Sequence, residues 1–322
     1  MEWFVSHKSA LEFWQKAQAS EVLAKKRMRS CTPPKDLPDA RGLRLENPFG
    51  LSLPLHILVE NSNARNKSGK FVCHIGSRWF PGGSFIQVAP GIIMSSPELC
   101  FVQMAGEMSL IQLVMLGYEI CGSYRLDSEA STGRGFRDDV PLTSVNALKS
   151  FVAKLKGYKG IKNARRALRF IADGSASPME TILAMFLTLP YMLGGYSFPP
   201  PLLNCPIDVP DSSKKAKGKS RYYCDMYWPD EQVDVEYDSD FYHTKEERIA
   251  KDAIRRNALT SVGIAVVTVS RKQINNTAEL RRVAMALSGL LGKQLRCPKP
   301  EFTRNHAALR KELLRRVSVN NW

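Results

Sequence analysis

The sequence has no Cys-x-x-Cys pair, no long apolar run and no basic leader at its start, and each absence excludes a class of protein. Its seven cysteines are scattered singly, which argues against a disulfide framework and against a zinc ribbon. The best apolar stretch, residues 182–198, is interrupted by Pro190 and by Gly194-Gly195, so no segment is apolar enough to span a bilayer. The start Met-Glu-Trp has neither the basic residues nor the apolar core of a signal peptide. We therefore expect a cytoplasmic protein.

Basic charge is abundant and unevenly distributed. The 322 residues, enough for two domains, carry a formal net charge of +15, and two segments hold much of the excess. Residues 149–170 contain no acidic residue, and residues 281–322 contain only two. Clustered basic charge is typical of nucleic-acid-binding proteins, although a solvated helix face is the alternative. The candidate DNA contacts in these segments are Lys154, Lys159, Lys162, Arg165, Arg166, Arg310 and Arg315.

The first part of the chain predicts a mixed α+β domain. Apolar spacing predicts a helix over 9–26, strands at 55–59, 70–75, 84–88 and 91–94, and a helix over 98–117. His56 and His74 lie inside apolar strands and are expected to be core or edge side chains rather than ligands. Residues 125–140 are polar and contain glycine, which is typical of a linker or an exposed loop. We therefore predict one domain over 1–135 and a second over 140–322.

The second part predicts an α/β domain with a mixed sheet. A basic helical segment covers 145–172, and Ser177-Pro178 is typical of a helix start, with the helix extending to about 189. Strand-like runs follow at 203–209, 222–228 and 233–238, then a helix over 244–262, a strand over 264–269 and a helix over 277–292. The last strand follows a helical crossover, which predicts helices on both faces of the sheet.

Two of these strand-like runs carry alternating acidic residues. Glu236 and Asp238 share one face of their strand, and Asp225 can meet Glu236 if the two runs pair as a hairpin. Carboxylate oxygens are the ligands that a hard cation such as Mg²⁺ prefers. The alternative is a polar strand face in contact with solvent.

The order of elements and acidic residues resembles the PD-(D/E)xK nuclease superfamily, and within it the branch of very-short-patch-repair endonucleases. The matching residues are Asp225, Glu236-Tyr237-Asp238, His243 and Asp252-Ala253-Ile254-Arg255, with Glu180 on the preceding helix. The resemblance covers about residues 175–290 and implies a restriction-endonuclease-like mixed sheet with flanking helices. It implies DNA cleavage with Mg²⁺ or Mn²⁺ held by Asp225, Glu236 and Asp238, and catalysis by Glu180, Asp225, Glu236, Asp238 and His243.

The sequence departs from the family pattern at one position. Asp238 replaces the family lysine, which is thought to position the attacking water, so Lys245, Lys251 or Arg255 on the next helix is expected to supply the cation. We also assign Arg255 to DNA contact. The departure leaves a second function open, a DNA-binding protein with an inactive nuclease fold, such as an antitoxin or a repressor.

The first domain resembles domains found beside such nuclease modules, including antitoxins of the abortive-infection type. This resemblance rests on the strands that precede the helix beginning at Ser95-Ser96-Pro97-Glu98. The expected partners are DNA and, for an antitoxin, a cognate toxin, with no membrane and no small-molecule cofactor.

Overall fold

The protein divides into two compact units, with the division between Asp173 and Gly174. The computed structural model describes residues 2–18, 37, 39–42, 47–76, 79–127, 134–210, 219–238, 246–296 and 299–319, with side chains described except at 246–252 and 316–319. Both units combine helices with sheets that mix parallel and antiparallel strands, which confirms the predicted α/β class. Within these ranges, no helix has both the length and the apolar character needed to cross a membrane.

The first unit is built on a five-stranded mixed sheet. In chain order its strands are β1 (Trp3–Val5), β2 (Leu55–Val59), β3 (Phe71–Ile75), β4 (Phe85–Ala89) and β5 (Ile92–Ser95). The spatial order is β3-β2-β1-β5-β4, with β2–β3 and β1–β5 parallel and the other two pairs antiparallel. The sequence predicted every strand except β1, which is buried at the centre of the sheet but has only three residues, too few for a periodic pattern.

The helices of the first unit begin and end at different residues from those that the sequence predicted. They are α1 (His7–Lys16), α2 (Pro97–Met104), α3 (Leu110–Cys121), α4 (Val145–Lys154) and α5 (Ile161–Ala167). The predicted helix over 98–117 is two helices, because Ser109 forms a capping box with Gln112 that starts α3. The basic segment is also two helices, because Gly157 and Gly160 adopt φ values of +68° and +86° between them. Of the helix predicted over 9–26, residues 19–26 lie outside the described part of the chain.

The described residues of the segment 125–140 belong to the first unit and do not link two domains. They contribute the antiparallel strands β6 (Tyr124–Leu126) and β7 (Phe136–Asp138) to the first unit. Arg125 is fully buried and donates hydrogen bonds to the carbonyls of Glu119 and Gly122 at 2.7 and 3.1 Å. The basic helices α4 and α5 then pack against α2 and α3. The predicted boundary at 135–140 therefore lies before the division after Asp173, because β6 and β7 pair with each other within the first unit and the helices that follow also belong to it.

The second unit is built on a four-stranded mixed sheet. In chain order its elements are α6 (Pro178–Thr188), β8 (Leu202–Pro210), β9 (Lys219–Trp228), β10 (Val233–Asp238), α7 (Glu246–Ser261), β11 (Ala265–Ser270), α8 (Arg271–Asn275), α9 (Thr277–Leu290) and α10 (Pro300–Val319). The spatial order is β11-β10-β9-β8, with β10 and β11 parallel and the other pairs antiparallel. The predicted helices and strands of this unit appear in the predicted order, but the short helix α8 and the C-terminal helix α10 were not predicted.

Helix α7 packs on the sheet through an apolar contact near its C-terminal end. Leu259 is fully buried and clusters with Cys224 and Tyr227 of β9 and with Ile264, just before β11. Gly263 adopts φ +88° and turns the chain from α7 into β11. Arg255 lies one turn before Leu259 on α7. Because residues four apart share a helix face, Arg255 is directed to the same surface of the sheet.

Candidate functional site

The two acidic strands pair as the sequence predicted. Strands β9 and β10 are antiparallel, with Asp234 opposite Tyr227 and Val235 opposite Met226. The regular ladder ends there, and the Oδ2 atom of Asp225 accepts a hydrogen bond of 2.8 Å from the backbone N–H of Tyr237. A side chain thus replaces a backbone acceptor, which fixes the carboxylate of Asp225 beside the strand that carries Glu236.

Glu180 is held at the start of helix α6. The Ser177 side chain caps this helix by accepting a hydrogen bond of 3.1 Å from the backbone N–H of Glu180. The Oε2 atom of Glu180 accepts hydrogen bonds from the backbone N–H of Ala176 at 2.9 Å and from Nδ2 of Asn204 at 3.0 Å. These bonds fix the carboxylate, and burial raises its pKa.

Three carboxylates from three elements influence one another. Burial, together with the neighbouring carboxylates of Glu180 and Glu236, raises the pKa of Asp225 from 3.8 to about 8. The sequence predicted that these three carboxylates share one cation site, but they are not one of the two sets of described residues whose ligand atoms lie within 4.8 Å of one another. Repulsion among the carboxylates favours either a bound proton or a bound cation at Asp225.

Asp234 belongs to the same acidic group, although the sequence analysis did not single it out. Asp234, Glu236 and Cys224 each offer one ligand atom, and these atoms lie within 4.8 Å of one another. Asp234 is fully buried, and its Oδ2 atom has no hydrogen-bond partner among the described residues. Burial raises the pKa of both Asp234 and the Cys224 thiol. Asp234 and Glu236 are two positions apart and therefore share one face of β10. That spacing was the sequence signal that could have identified Asp234.

Arg255 is the cation of this site. Its Nη2 atom donates a hydrogen bond of 2.7 Å to Oε1 of Glu236, donates to the carbonyl of Tyr223, and lies 3.8 Å from Oδ1 of Asp225. The guanidinium is engaged by the protein's own carboxylates, so its predicted DNA contact stays a prediction and would be made at this acidic site rather than on an open basic surface. The adjacent Arg256 is exposed and donates to Oγ1 of Thr268 at 3.3 Å.

Of the two remaining predicted catalytic residues, the structure describes only Asp238. Asp238 is exposed at the end of β10 and is not in either set of possible metal ligands found among the described residues. His243 lies outside the described residues, as does Lys245, and nothing is described for the side chains of Lys251 and Asp252.

The predicted DNA contacts fall into two groups. Five of them are exposed on the first unit, in α4, α5 and the intervening segment, and they are Lys154, Lys159, Lys162, Arg165 and Arg166. In the second unit Arg315 is exposed, but Arg310 is half-buried and donates to the carbonyls of Ile274 and Asn275 at 2.9 and 2.7 Å. Arg310 therefore satisfies the C-terminal carbonyls of α8, and its assignment as a DNA contact is corrected.

A basic cleft lies elsewhere in the second unit. It has a volume of about 310 Å³, and Arg281, Lys293 and Arg296 line it together with Tyr191 and Phe302. The Tyr191 and Phe302 rings are stacked with their centroids 4.3 Å apart. Arg296 lies over Tyr191, 5.9 Å from its ring centroid. None of the residues lining the cleft is acidic, so it is suited to a negatively charged ligand.

Comparisons with protein-family models, with curated proteins and with solved structures found no match for this chain.

Proposed function

We propose that this protein is a metal-dependent endodeoxyribonuclease of the PD-(D/E)xK type, whose catalytic site is formed by Glu180, Asp225 and Glu236 of the second unit. The observation that carries the proposal is the carboxylate of Asp225, whose pKa is raised to about 8 by burial and by the neighbouring carboxylates of Glu180 and Glu236. Structural ion pairs place opposite charges together, whereas this site concentrates like charges and supplies one arginine. The proposal retains the cytoplasmic location expected from the sequence.

The carboxylates of this site offer the oxygen ligands that a divalent cation prefers. Asp234, Glu236 and Cys224 have ligand atoms within 4.8 Å of one another, and Oδ2 of Asp234 lacks a partner among the described residues. Asp225 is not in that set, and its carboxylate would be added beside Glu236. Mg²⁺ or Mn²⁺ held by these carboxylates would supply an activated water and an electrophile for the phosphoryl oxygen. Asp238, which the sequence also assigned as a ligand, is exposed and enters this proposal only as a contact at the rim.

The remaining side chains position the reactants. Glu180, fixed by Ala176 and Asn204, holds a carboxylate where it can orient a water or accept a proton. Arg255 reaches the same carboxylates from helix α7 and can stabilise negative charge on the phosphate, the role of the lysine that Asp238 replaces. The exposed basic residues of α4 and α5 and the basic cleft would bind the DNA backbone without reading its sequence.

One observation favours the second candidate, a DNA-binding protein without cleavage, such as an antitoxin that binds DNA and a cognate toxin. Arg255 already neutralises Glu236 through a hydrogen bond of 2.7 Å. If this ion pair is permanent, the carboxylates are structural and the basic surfaces alone carry the function.

The test is a cleavage and metal-binding experiment on the full chain. Supercoiled, linear and single-stranded DNA are incubated with the protein at increasing Mg²⁺ or Mn²⁺, and Tm is followed in the same titrations. We expect cleavage that requires the metal, together with a metal-dependent rise in Tm. The double variant Asp225→Asn with Glu236→Gln should lose both and keep its affinity for DNA.

The matched control is Asp230→Asn with Glu231→Gln. Both residues are exposed in the turn between β9 and β10, so this control removes the same charge from the same hairpin. It should behave like the wild type. Equal cleavage by the wild type and the site variant would contradict the proposal, and DNA binding without any metal response would establish the second candidate.

A further inference from the structure

Three of the five histidines in the chain meet in the first unit. His7 begins helix α1, and His56 and His74 come from the neighbouring parallel strands β2 and β3. The Nδ1 atom of His56 lies 2.9 Å from Nε2 of His74, and the rings of His7 and His74 are stacked with centroids 3.5 Å apart. Glu107, which follows α2, places a carboxylate oxygen within 4.8 Å of ligand nitrogens of His7 and His74.

The backbone of His7 is held in an unusual conformation. His7 has φ +49°, which is uncommon for a residue with a side chain. Its N–H donates to Oε1 of Gln103 at 3.0 Å, and its carbonyl accepts a contact of 3.6 Å from Sγ of Cys100. Two contacts from α2 thus maintain the conformation that directs the imidazole onto His74.

These histidines are in the form that binds metals. Burial lowers the pKa of all three, with His7 at about 2 and His74 at about 4, so the rings are neutral near pH 7. His7 Nε2, His56 Nε2 and His74 Nδ1 make no hydrogen bond to any described residue. Neutral imidazole nitrogens with lone pairs are the usual ligands of Zn²⁺ and related transition metals.

We propose that His7, His74 and Glu107 form a binding site for a transition-metal cation of the Zn²⁺ class, with His56 positioning His74. Each of the three residues offers one ligand atom, and these atoms lie within 4.8 Å of one another. His56 holds the ring of His74 through the hydrogen bond of 2.9 Å between Nδ1 and Nε2. Three protein ligands leave the fourth position of a tetrahedral Zn²⁺ site to a water. The cation would join the start of α1 to β3 and stabilise the first unit.

The ligand chemistry separates this site from the carboxylates of the second unit. Mg²⁺ prefers oxygen ligands, whereas a site with two imidazoles and one carboxylate favours Zn²⁺, Ni²⁺ or Co²⁺. The two sites lie in different units and share no residue. The histidine site therefore stands independently of the proposed nuclease activity.

The surrounding charges allow a sharp test. Lys8 Nζ lies 3.7 Å from Oε2 of Glu107, and its side chain is 65% exposed, so it can be replaced with little effect on the fold. Lys8 competes with a metal for the carboxylate. Removing the lysine should therefore tighten metal binding, and removing the carboxylate should weaken it.

The experiment uses the full chain, stripped with EDTA and titrated with Zn²⁺ alone and with Co²⁺ alone. We expect one Zn²⁺ bound with a rise in Tm, and the visible absorption of tetrahedral Co²⁺. Glu107→Gln should weaken binding by about tenfold or more, Lys8→Gln should tighten it, and His56→Gln with His74→Gln should abolish it. The variant Asp225→Asn with Glu236→Gln should keep the histidine-bound ion.

Three results would overturn the proposal. The first is the absence of Zn²⁺ binding by the wild type, and the second is unchanged Zn²⁺ stoichiometry and affinity in the double histidine variant. The third is an equal affinity in Glu107→Gln, Lys8→Gln and the wild type. Because Lys8 and Glu107 are replaced at the surface, this third comparison remains decisive even if the double histidine variant fails to fold.

Discussion

Arg255 donates a hydrogen bond of 2.7 Å to Glu236, joining helix α7 to strand β10 across 19 positions in the sequence. The side chains are 30% and 15% exposed, so the pair is partly shielded from water. This relationship separates the two candidate functions. In a nuclease the guanidinium must share Glu236 with a cation, whereas in a DNA-binding protein without cleavage it simply neutralises the carboxylate.

Replacing Arg255 tests which role dominates. In EDTA, Arg255→Gln should lower the free energy of unfolding by about 1–3 kcal/mol, because Glu236 loses a charged hydrogen-bond partner. Added Mg²⁺ or Mn²⁺ should then raise Tm more than in the wild type, because the cation no longer competes with the guanidinium. Urea unfolding and thermal scans with and without metal measure both effects. Arg256→Gln, one position further along α7, is the control and should change neither; an unchanged stability for Arg255→Gln would refute a structural role for the pair.

The raised pKa of Asp225 predicts a pH dependence of stability. Its pKa is 3.8 in the unfolded reference and about 8 in the folded protein, so between these values the folded state holds more protons. The free energy of unfolding in EDTA should therefore fall as pH rises from 3.8 to about 8. Asp225→Asn cannot ionise, and its Tm should fall less over this range. The exposed Asp230→Asn serves as the control, and parallel curves for Asp225→Asn and the wild type would contradict the prediction.

The basic surface of the first unit predicts a salt-dependent affinity for DNA. Lys154, Lys162 and Arg166 are exposed on α4 and α5. Each phosphate contact contributes a slope of about 0.9 in log K against log salt concentration, so replacing all three with Gln should reduce the slope by up to ~3. Fluorescence anisotropy at several salt concentrations measures the slope.

The control for the salt experiment is Lys67→Gln with Lys70→Gln. These lysines are also exposed on the first unit but lie in the segment before β3. The control should change the slope less than the triple variant does. A triple variant with the wild-type slope would exclude α4 and α5 from the DNA-binding surface.

Two glycines between α4 and α5 should respond differently to alanine. Both have positive φ, but a Cβ on Gly157 would have no atom within 4 Å, whereas a Cβ on Gly160 would lie 2.4 Å from the backbone nitrogen of Gly106. Gly157→Ala should cost about 1–2 kcal/mol from the left-handed backbone alone. Gly160→Ala should cost more, because the backbone of Gly106 must also move. Equal losses in urea unfolding would contradict the close approach.

Most of the secondary structure could be predicted from the sequence. The start of α6 at Ser177 and the alternation in β9 and β10 depend on neighbours within a few residues, and the structure contains these elements. The helices and the strand that were not predicted correctly also have local causes in the sequence. Gly157 and Gly160 divide the basic helix, Ser109 starts α3, and β1 is too short to show a period.

The candidate site was only partly predictable. Alternation indicated that Asp225 and Glu236 would meet, but it did not rank Asp234 above Asp238, since both share a strand face with Glu236. Burial separates them, because Asp234 is fully buried and Asp238 is exposed at the end of the strand. Burial of one position rather than another depends on what packs over the sheet, and helix α7 provides that cover.

The sequence by itself determined the α/β class, the order of the elements in the second unit and the acidic residues available for a site, because propensity, capping and alternation act over short distances along the chain. Only the tertiary structure decided that Arg255 faces carboxylates, that His7, His56 and His74 meet, and that the first unit extends to Asp173. These relationships join residues far apart in sequence. Packing selects them because apolar faces must be buried together, and the polar side chains near those faces then become neighbours.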